Sequence, residues 1–121
     1  MPTILIVDDD AAVRSILYDL LSEKYKCNTA SMAEEALQYI EEEKYDAILT
    51  DIAMPGLTGV ELLKRVHENH GATPVILISG RGSEQDPEGL IDLGAFAYVT
   101  KPFNLNDIEE VVERAVVKKQ S

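Results

Sequence analysis

The sequence predicts an open α/β fold, a parallel sheet covered by helices on both faces, and three observations carry that expectation. Short, continuous apolar runs recur at residues 4–7, 47–49 and 75–78, and strands buried on both faces read this way because neither alternate position is free to be polar. Between the runs, apolar residues recur at spacings of three and four, the period of a helix with one buried stripe. The two patterns alternate along the whole chain, which implies parallel strands joined by right-handed crossovers.

The elements follow in order. The first strand, Ile4, Leu5, Ile6 and Val7, leads into a helix striped by Val13, Ile16, Leu17, Leu20 and Leu21 and capped by Asp10. A weaker run at residues 27–30 is the second strand. The helix after it carries Ala33, Ala36, Leu37 and Ile40, and Ser31 with Glu34 fits a capping box at its start. Ala47, Ile48 and Leu49 form the third strand, followed after Gly59 by a helix with Leu62, Leu63 and Val66. Val75, Ile76, Leu77 and Ile78 form the fourth. Residues 84–93 hold Pro87 and Gly89, both unfavourable inside a helix, so the fourth helix is expected to start late, with Pro87 in its first turn, or to be short and mobile. Residues 96–99 are the fifth strand, and Ile108, Val111, Val112, Ala115 and Val116 stripe the last helix. Gly71 and Gly94 stand where helices should stop.

At 121 residues the chain has the size of one domain, 1–121, large enough to bury roughly two thirds of its unfolded surface. Hydrophobic residues make up 45% and charged residues 27%, ordinary for a globular chain. The charge is one-sided: 22 Asp and Glu against 11 Lys and Arg give a formal net charge of -11. Such a surface repels a phosphate backbone and an anionic membrane alike, so neither nucleic acid nor membrane is expected as a direct partner. The single cysteine, Cys27, excludes an intrachain disulfide and a cysteine-rich zinc site, and it reads as a small buried hydrophobe. The apolar stretch near the start is too short for a signal-peptide core or a membrane span, so the expected location is the cytoplasm.

In an open parallel sheet, ligands bind beyond the carboxyl ends of the strands. The residues there are Asp8, Asp9 and Asp10 after the first run, Asp51 after the third, Ser79 and Gly80 after the fourth, and Thr100, Lys101, Pro102 and Phe103 after the fifth. Crowded carboxylates call for raised pKa values or a bound cation, and an all-oxygen site suits Mg²⁺. Lys101 and Ser79 opposite Asp51 would neutralise a phosphoryl group between them, and a carboxylate oxygen could serve as its acceptor. Asp10 reads as a helix cap rather than a metal ligand. Glycines that would cradle a dinucleotide or nucleotide phosphate are missing after the first strand, no Gly-x-Ser-x-Gly elbow occurs, and neither His67 nor His70 falls on this edge.

The chain resembles the response-regulator receiver domain, the CheY-like phosphoacceptor module of two-component signalling, over its entire length. The resemblance rests on five motifs in order: Asp8 and Asp9 after Ile-Val; Thr50, Asp51, Ile52, Met54, Pro55 and Gly59; Ile78, Ser79 and Gly80; Gly94, Ala95 and Tyr98; Lys101, Pro102 and Phe103. It implies a flavodoxin-like, doubly wound sheet of order 2-1-3-4-5. It implies that Asp51 is the phosphoacceptor, and that Asp9, Asp51 and the backbone carbonyl of Ala53 hold Mg²⁺ (or Mn²⁺ in its place), with Asp8 contributing largely through water. It further implies that Lys101 pairs with phosphoryl oxygens, that Pro102 follows a cis peptide, and that Ser79 and Tyr98 carry a switch to the face of the fourth helix, fifth strand and fifth helix. The implied phosphodonor is a sensor histidine kinase or phosphotransfer protein, and the output passes through an unidentified domain or partner, or through a homodimer formed on phosphorylation. Ala53 and Arg81 occupy positions that tune autodephosphorylation in such domains.

Two other readings use the same residues. A Mg²⁺-dependent phosphohydrolase would share the aspartyl phosphate, but it wants a second acid two residues after the nucleophile, where this chain has Ala53. A non-phosphorylated interaction module would not need Asp8, Asp9, Asp51, Ser79 and Lys101 together. The expectation is therefore a signalling phosphoacceptor that catalyses only its own phosphorylation and dephosphorylation, with no effector domain visible before Ser121.

Overall fold

Strands β1 (Thr3–Val7), β2 (Lys26–Ala30), β3 (Ala47–Asp51), β4 (Val75–Ser79) and β5 (Ala97–Thr100) alternate with helices α1 (Ala11–Leu21), α2 (Ala33–Glu42), α3 (Gly59–Asn69), α4 (Pro87–Asp92) and α5 (Leu105–Gln120). This is the arrangement in the computed structural model, which describes residues 1–80 and 87–120. The strands form one parallel sheet in the order β2-β1-β3-β4-β5, the doubly wound topology the sequence implies.

Alternation along the strands divides the core into two layers. Ile4 and Ile6 of β1, Ala47 and Leu49 of β3 and Ile76 and Ile78 of β4 pack against Leu17 and Leu21 of α1 and the α5 stripe from Ile108 to Val116. Leu5, Val7, Ile48, Val75 and Leu77 face the other way, onto α2, α3 and Leu90 of α4. Both faces of the central strands are thus dry, each fully buried aliphatic side chain contributing roughly 1.5–3 kcal/mol. Among the described residues no buried side-chain polar atom lacks a hydrogen-bond partner, and no helix is long and apolar enough to cross a membrane.

The helix starts confirm two expectations and correct one. Asp10 caps α1, its carboxylate accepting from the amides of Ala12 at 2.9 Å and Val13 at 3.4 Å. Pro87 stands in the first turn of α4; residues 84–86 of the expected segment lie outside the described residues. The Ser31–Glu34 box does not form. The N-cap of α2 is Met32, which makes no side-chain cap bond, and Glu35 rather than Glu34 reaches back to accept from the Ser31 amide at 3.1 Å. The helix starts one residue later than the motif implies, so the reciprocal carboxylate shifts by one as well. Ile16 also departs from its stripe: it is 49% exposed, because Leu17 and Leu21 face the sheet and Ile16 sits about 100° round the helix from Leu17. Gly94 ends the turn after α4 at φ +112, a conformation suited to glycine, with its amide donating to the Ile91 carbonyl.

Candidate functional site

Period-two alternation explains which side chains meet at the carboxyl edge of the sheet. Asp8 is next in phase after Ile4 and Ile6, Asp51 after Ala47 and Leu49, and Lys101 after Ala97 and Val99, so all three belong to the α1/α5 side. The β1–β3 register ends at Val7↔Thr50, and one step further brings Asp8 beside Asp51. The Lys101 amide donates to the Ser79 carbonyl at 2.7 Å, which holds the residue next to the end of β4. Its Nζ lies 3.3 Å from Asp8 Oδ2 and 3.6 Å from Asp51 Oδ2. Ser79 and Tyr98 follow the opposite phase. Ser79 is fully buried at the end of β4, and Tyr98 is half-buried against the α2/α3/α4 layer. The Lys101–Pro102 peptide is cis.

One carboxylate oxygen each from Asp8, Asp9 and Asp51 lies within 4.8 Å of the others. Asp8 is fully buried, Asp51 is 5% exposed, and Asp9 is open to solvent. Asp8 Oδ1 accepts from the Asp10 amide at 2.9 Å. Burial pushes the Asp8 carboxyl above its ordinary range and outweighs the lowering by the Asp10 amide and Lys101. Burial likewise raises Asp51, with the Asp8 charge adding to it and Lys101 opposing it. Burial works against the Lys101 charge, but the two carboxylates outweigh it and hold the ammonium pKa above its usual value. The pocket therefore carries more negative charge than Lys101 offsets. Three convergent, hard oxygen donors with uncompensated charge fit a small divalent cation such as Mg²⁺.

The peptide around Asp51 is fixed from two sides. Thr50 Oγ1 donates to the Asp51 carbonyl at 3.0 Å. Gly59, first residue of α3, lies so close that a Cβ on it would stand 2.1 Å from that carbonyl oxygen, and its amide donates to the Ile52 carbonyl. The start of α3 is set by the Thr58–Glu61 capping box, whose hydroxyl accepts from the Glu61 amide at 3.2 Å.

Asp8, Asp9, Asp51, Ala53, Ser79, Lys101 and Pro102 stand at this edge; Tyr98, the second residue of β5 and paired with Leu77, lies short of it, and Arg81 lies outside the described residues. His67 and His70 are at the other pole, His70 capping the carboxyl end of α3 with Nε2 4.0 Å from Glu41 Oε1. Cys27 is half-buried on β2, and burial raises its thiol to about 11. One contact escaped the sequence reading: Arg14 Nη1 donates to the Asp8 carbonyl at 2.7 Å. The available signal was Arg14's place one turn into the helix that follows the acidic run.

An open parallel sheet with a carboxylate cluster and one lysine at its carboxyl edge defines a class of phosphoryl-handling α/β domain. The model of the response regulator receiver domain matches residues 4–113, and the chain belongs to that family. The chain is 38% identical over 112 residues to the transcriptional regulatory protein YkoG of Bacillus subtilis, covering 92% of this chain and 48% of that protein. It is 33% identical to the DNA-binding transcriptional regulator NtrC of Escherichia coli, again over 92% of this chain but 24% of NtrC. It thus spans between a quarter and a half of these relatives' length. Among solved structures, a CheY-like receiver domain protein of Methanospirillum hungatei superposes with a TM-score of 0.92 at 32% identity, covering 99% of this chain and 97% of that one. A receiver domain protein of Clostridium thermocellum gives 0.93 at 27% identity, covering 99% and 98%.

Proposed function

We propose that Asp51 accepts a phosphoryl group from the phosphohistidine of a sensor histidine kinase or phosphotransfer protein, and that the receiver domain so formed extends over residues 1–121. The bond forms between an Asp51 carboxylate oxygen and phosphorus as the phosphorus–nitrogen bond breaks, the imidazole taking the electron pair. The observation that carries this reading is the Lys101 ammonium, 3.3 Å from Asp8 and 3.6 Å from Asp51, set in an otherwise anionic cluster where it can pair with phosphoryl oxygens. Asp8, Asp9, Asp51 and the backbone carbonyl of Ala53 would hold Mg²⁺, with Mn²⁺ as a substitute. When bound, the ion neutralises charge on the phosphoryl oxygens. Pro102 aims Lys101 from the residue after it.

Ser79 and Tyr98 carry the output. Both belong to the sheet face that meets α4, with Leu77↔Tyr98 and Ser79↔Thr100 adjacent in register, so a hydroxyl drawn toward the phosphoryl group repacks the α4-β5-α5 face. This is a shift between two populated states. The downstream step passes from that face to another domain, to a partner or to a second copy of the chain in the cytoplasm. The acidic surface of this chain assigns it no nucleic-acid contact of its own. Turnover is confined to its own aspartyl phosphate.

Incubation with Mg²⁺ and acetyl phosphate, followed by intact mass, tests the acceptor. Wild type is expected to gain one phosphoryl group and Asp51→Asn none. No gain in wild type, or an equal gain in the variant, overturns the assignment. Appreciable hydrolysis of a generic phosphomonoester would favour the phosphohydrolase reading instead.

A further inference from the structure

The three carboxylates of the pocket are not held equally. Asp8 is buried, bonded to the Asp10 amide and paired with Lys101. Asp51 is buried at the end of β3 with its peptide gripped by Thr50 and Gly59. Asp9 is exposed, and among the described residues its carboxylate makes no hydrogen bond or ion pair. Its position is therefore set by its backbone alone, at the peptide that joins it to Asp8.

That peptide lies where the sheet stops supporting it. The β1–β2 register ends at Val7↔Ala30, and the last bond of the ladder runs from the Asp8 amide to the Ala30 carbonyl at 3.1 Å. The Asp8 carbonyl on the other side of the residue is taken by Arg14, whose Nη1 donates to it at 2.7 Å. Such a charge-assisted bond is among the stronger single contacts a side chain makes to a carbonyl. Arg14 is itself anchored, since its own amide donates to the Asp10 carbonyl at 3.0 Å in the first turn of α1.

We infer that Arg14 is a positioning residue for the divalent-cation pocket: by holding the Asp8 carbonyl it fixes the plane of the Asp8–Asp9 peptide and so presents Asp9 to the ion. The inference rests on the reading of Asp8, Asp9 and Asp51 as a Mg²⁺ site. Outer residues that orient metal ligands commonly change affinity by tenfold or more when removed. The sign of the effect is diagnostic. Arg14 is a cation beside an anionic pocket, so if it acted through charge alone its removal would tighten Mg²⁺ binding. A positioning role gives the reverse.

The test is a Mg²⁺ titration followed through the backbone amide resonances of residues 8–10 and 51–53, with no phosphodonor present, on wild type, Arg14→Ala, Arg14→Gln and Arg14→Lys. Thermal unfolding is measured in parallel without metal. Arg14→Ala and Arg14→Gln are expected to weaken Mg²⁺ roughly tenfold while retaining the wild-type amide pattern of the sheet. Arg14→Lys, which keeps a charge and a donor, is expected to recover part of the loss. Unchanged or tighter binding in Arg14→Ala and Arg14→Gln overturns the positioning role and leaves the metal site standing. Absence of Mg²⁺ binding in wild type overturns both. Should Arg14→Ala unfold, Arg14→Gln decides the same question alone, because Mg²⁺ affinity in it equal to or tighter than wild type removes the role.

Discussion

At the scale of single residues, the site depends as much on an atom that is missing as on the charges that are present. Lys101 faces Asp8 and Asp51, but those charges meet only because β3 delivers Asp51 with its carbonyl turned toward the start of α3, where Gly59 leaves room for it. A methyl group at Gly59 would stand 2.1 Å from that oxygen and 2.9 Å from Ile52 Cα, both backbone atoms that cannot rotate away. Gly59→Ala is therefore expected to destabilise the fold by about 3 kcal/mol, as overpacking against rigid backbone does, and to weaken Mg²⁺ binding by displacing Asp51. Urea unfolding checks the first effect, read as a lower midpoint at unchanged slope. A cost under about 0.5 kcal/mol would show that the chain relaxes there without strain.

At the scale of elements, the central strands and most helix faces were legible because burial on both sides of β1, β3 and β4 leaves few polar positions inside them, and α1, α2, α3 and α5 each show a stripe. Ile108, Val111, Val112, Ala115 and Val116 are all buried as the spacing implies. What was not legible is decided by geometry that leaves no compositional mark. Asp51 and Ser79 are the last residues of β3 and β4 rather than loop residues, because the ladder continues past the apolar run to Asp51↔Ile78 and Ser79↔Thr100. Arg14 left only a faint mark, its place one turn into the helix after the acidic run, because a bond to a backbone carbonyl needs no particular partner residue. The box at Ser31 failed because the cap belongs to whichever residue leaves helical geometry first, here Met32, 43% exposed and without a cap bond. Serine at an N-cap satisfies an amide that methionine cannot. Met32→Ser is accordingly expected to raise stability by about 0.5–1 kcal/mol, seen as a higher unfolding midpoint. No gain, or a loss, would mean that the Glu35 contact to the Ser31 amide already supplies what a cap would.

At the scale of the whole molecule, a net charge of -11 makes the folded state electrostatically costly, and the cost concentrates where Asp8 and Asp51 are buried. Both carboxyls are held above their ordinary value of 3.8 by burial, so between that value and their folded pKa the native state binds more protons than the unfolded chain. Stability from these groups is complete below the ordinary value and is lost as pH rises through the folded pKa. Glu43 runs the other way: hydrogen-bonded by Lys26, its pKa is lowered, and its contribution is lost on acidification. Comparing wild type with Asp51→Asn cancels such background, since Glu43 is common to both. In chelator near neutral pH, Asp51→Asn is expected to be the more stable protein, by on the order of 1 kcal/mol, with the advantage disappearing as pH approaches about 4. Mg²⁺ should reverse the order. It needs the carboxylates ionised, so it stabilises wild type by about 1.4 kcal/mol at ten times its dissociation constant, increasingly as pH rises, and leaves Asp51→Asn nearly unmoved. Thermal unfolding of both proteins at about pH 4 and about pH 7.5, with and without Mg²⁺, reads all four cases. Equal Mg²⁺ stabilisation at the two pH values, or in the two proteins, would place the ion somewhere other than this pocket.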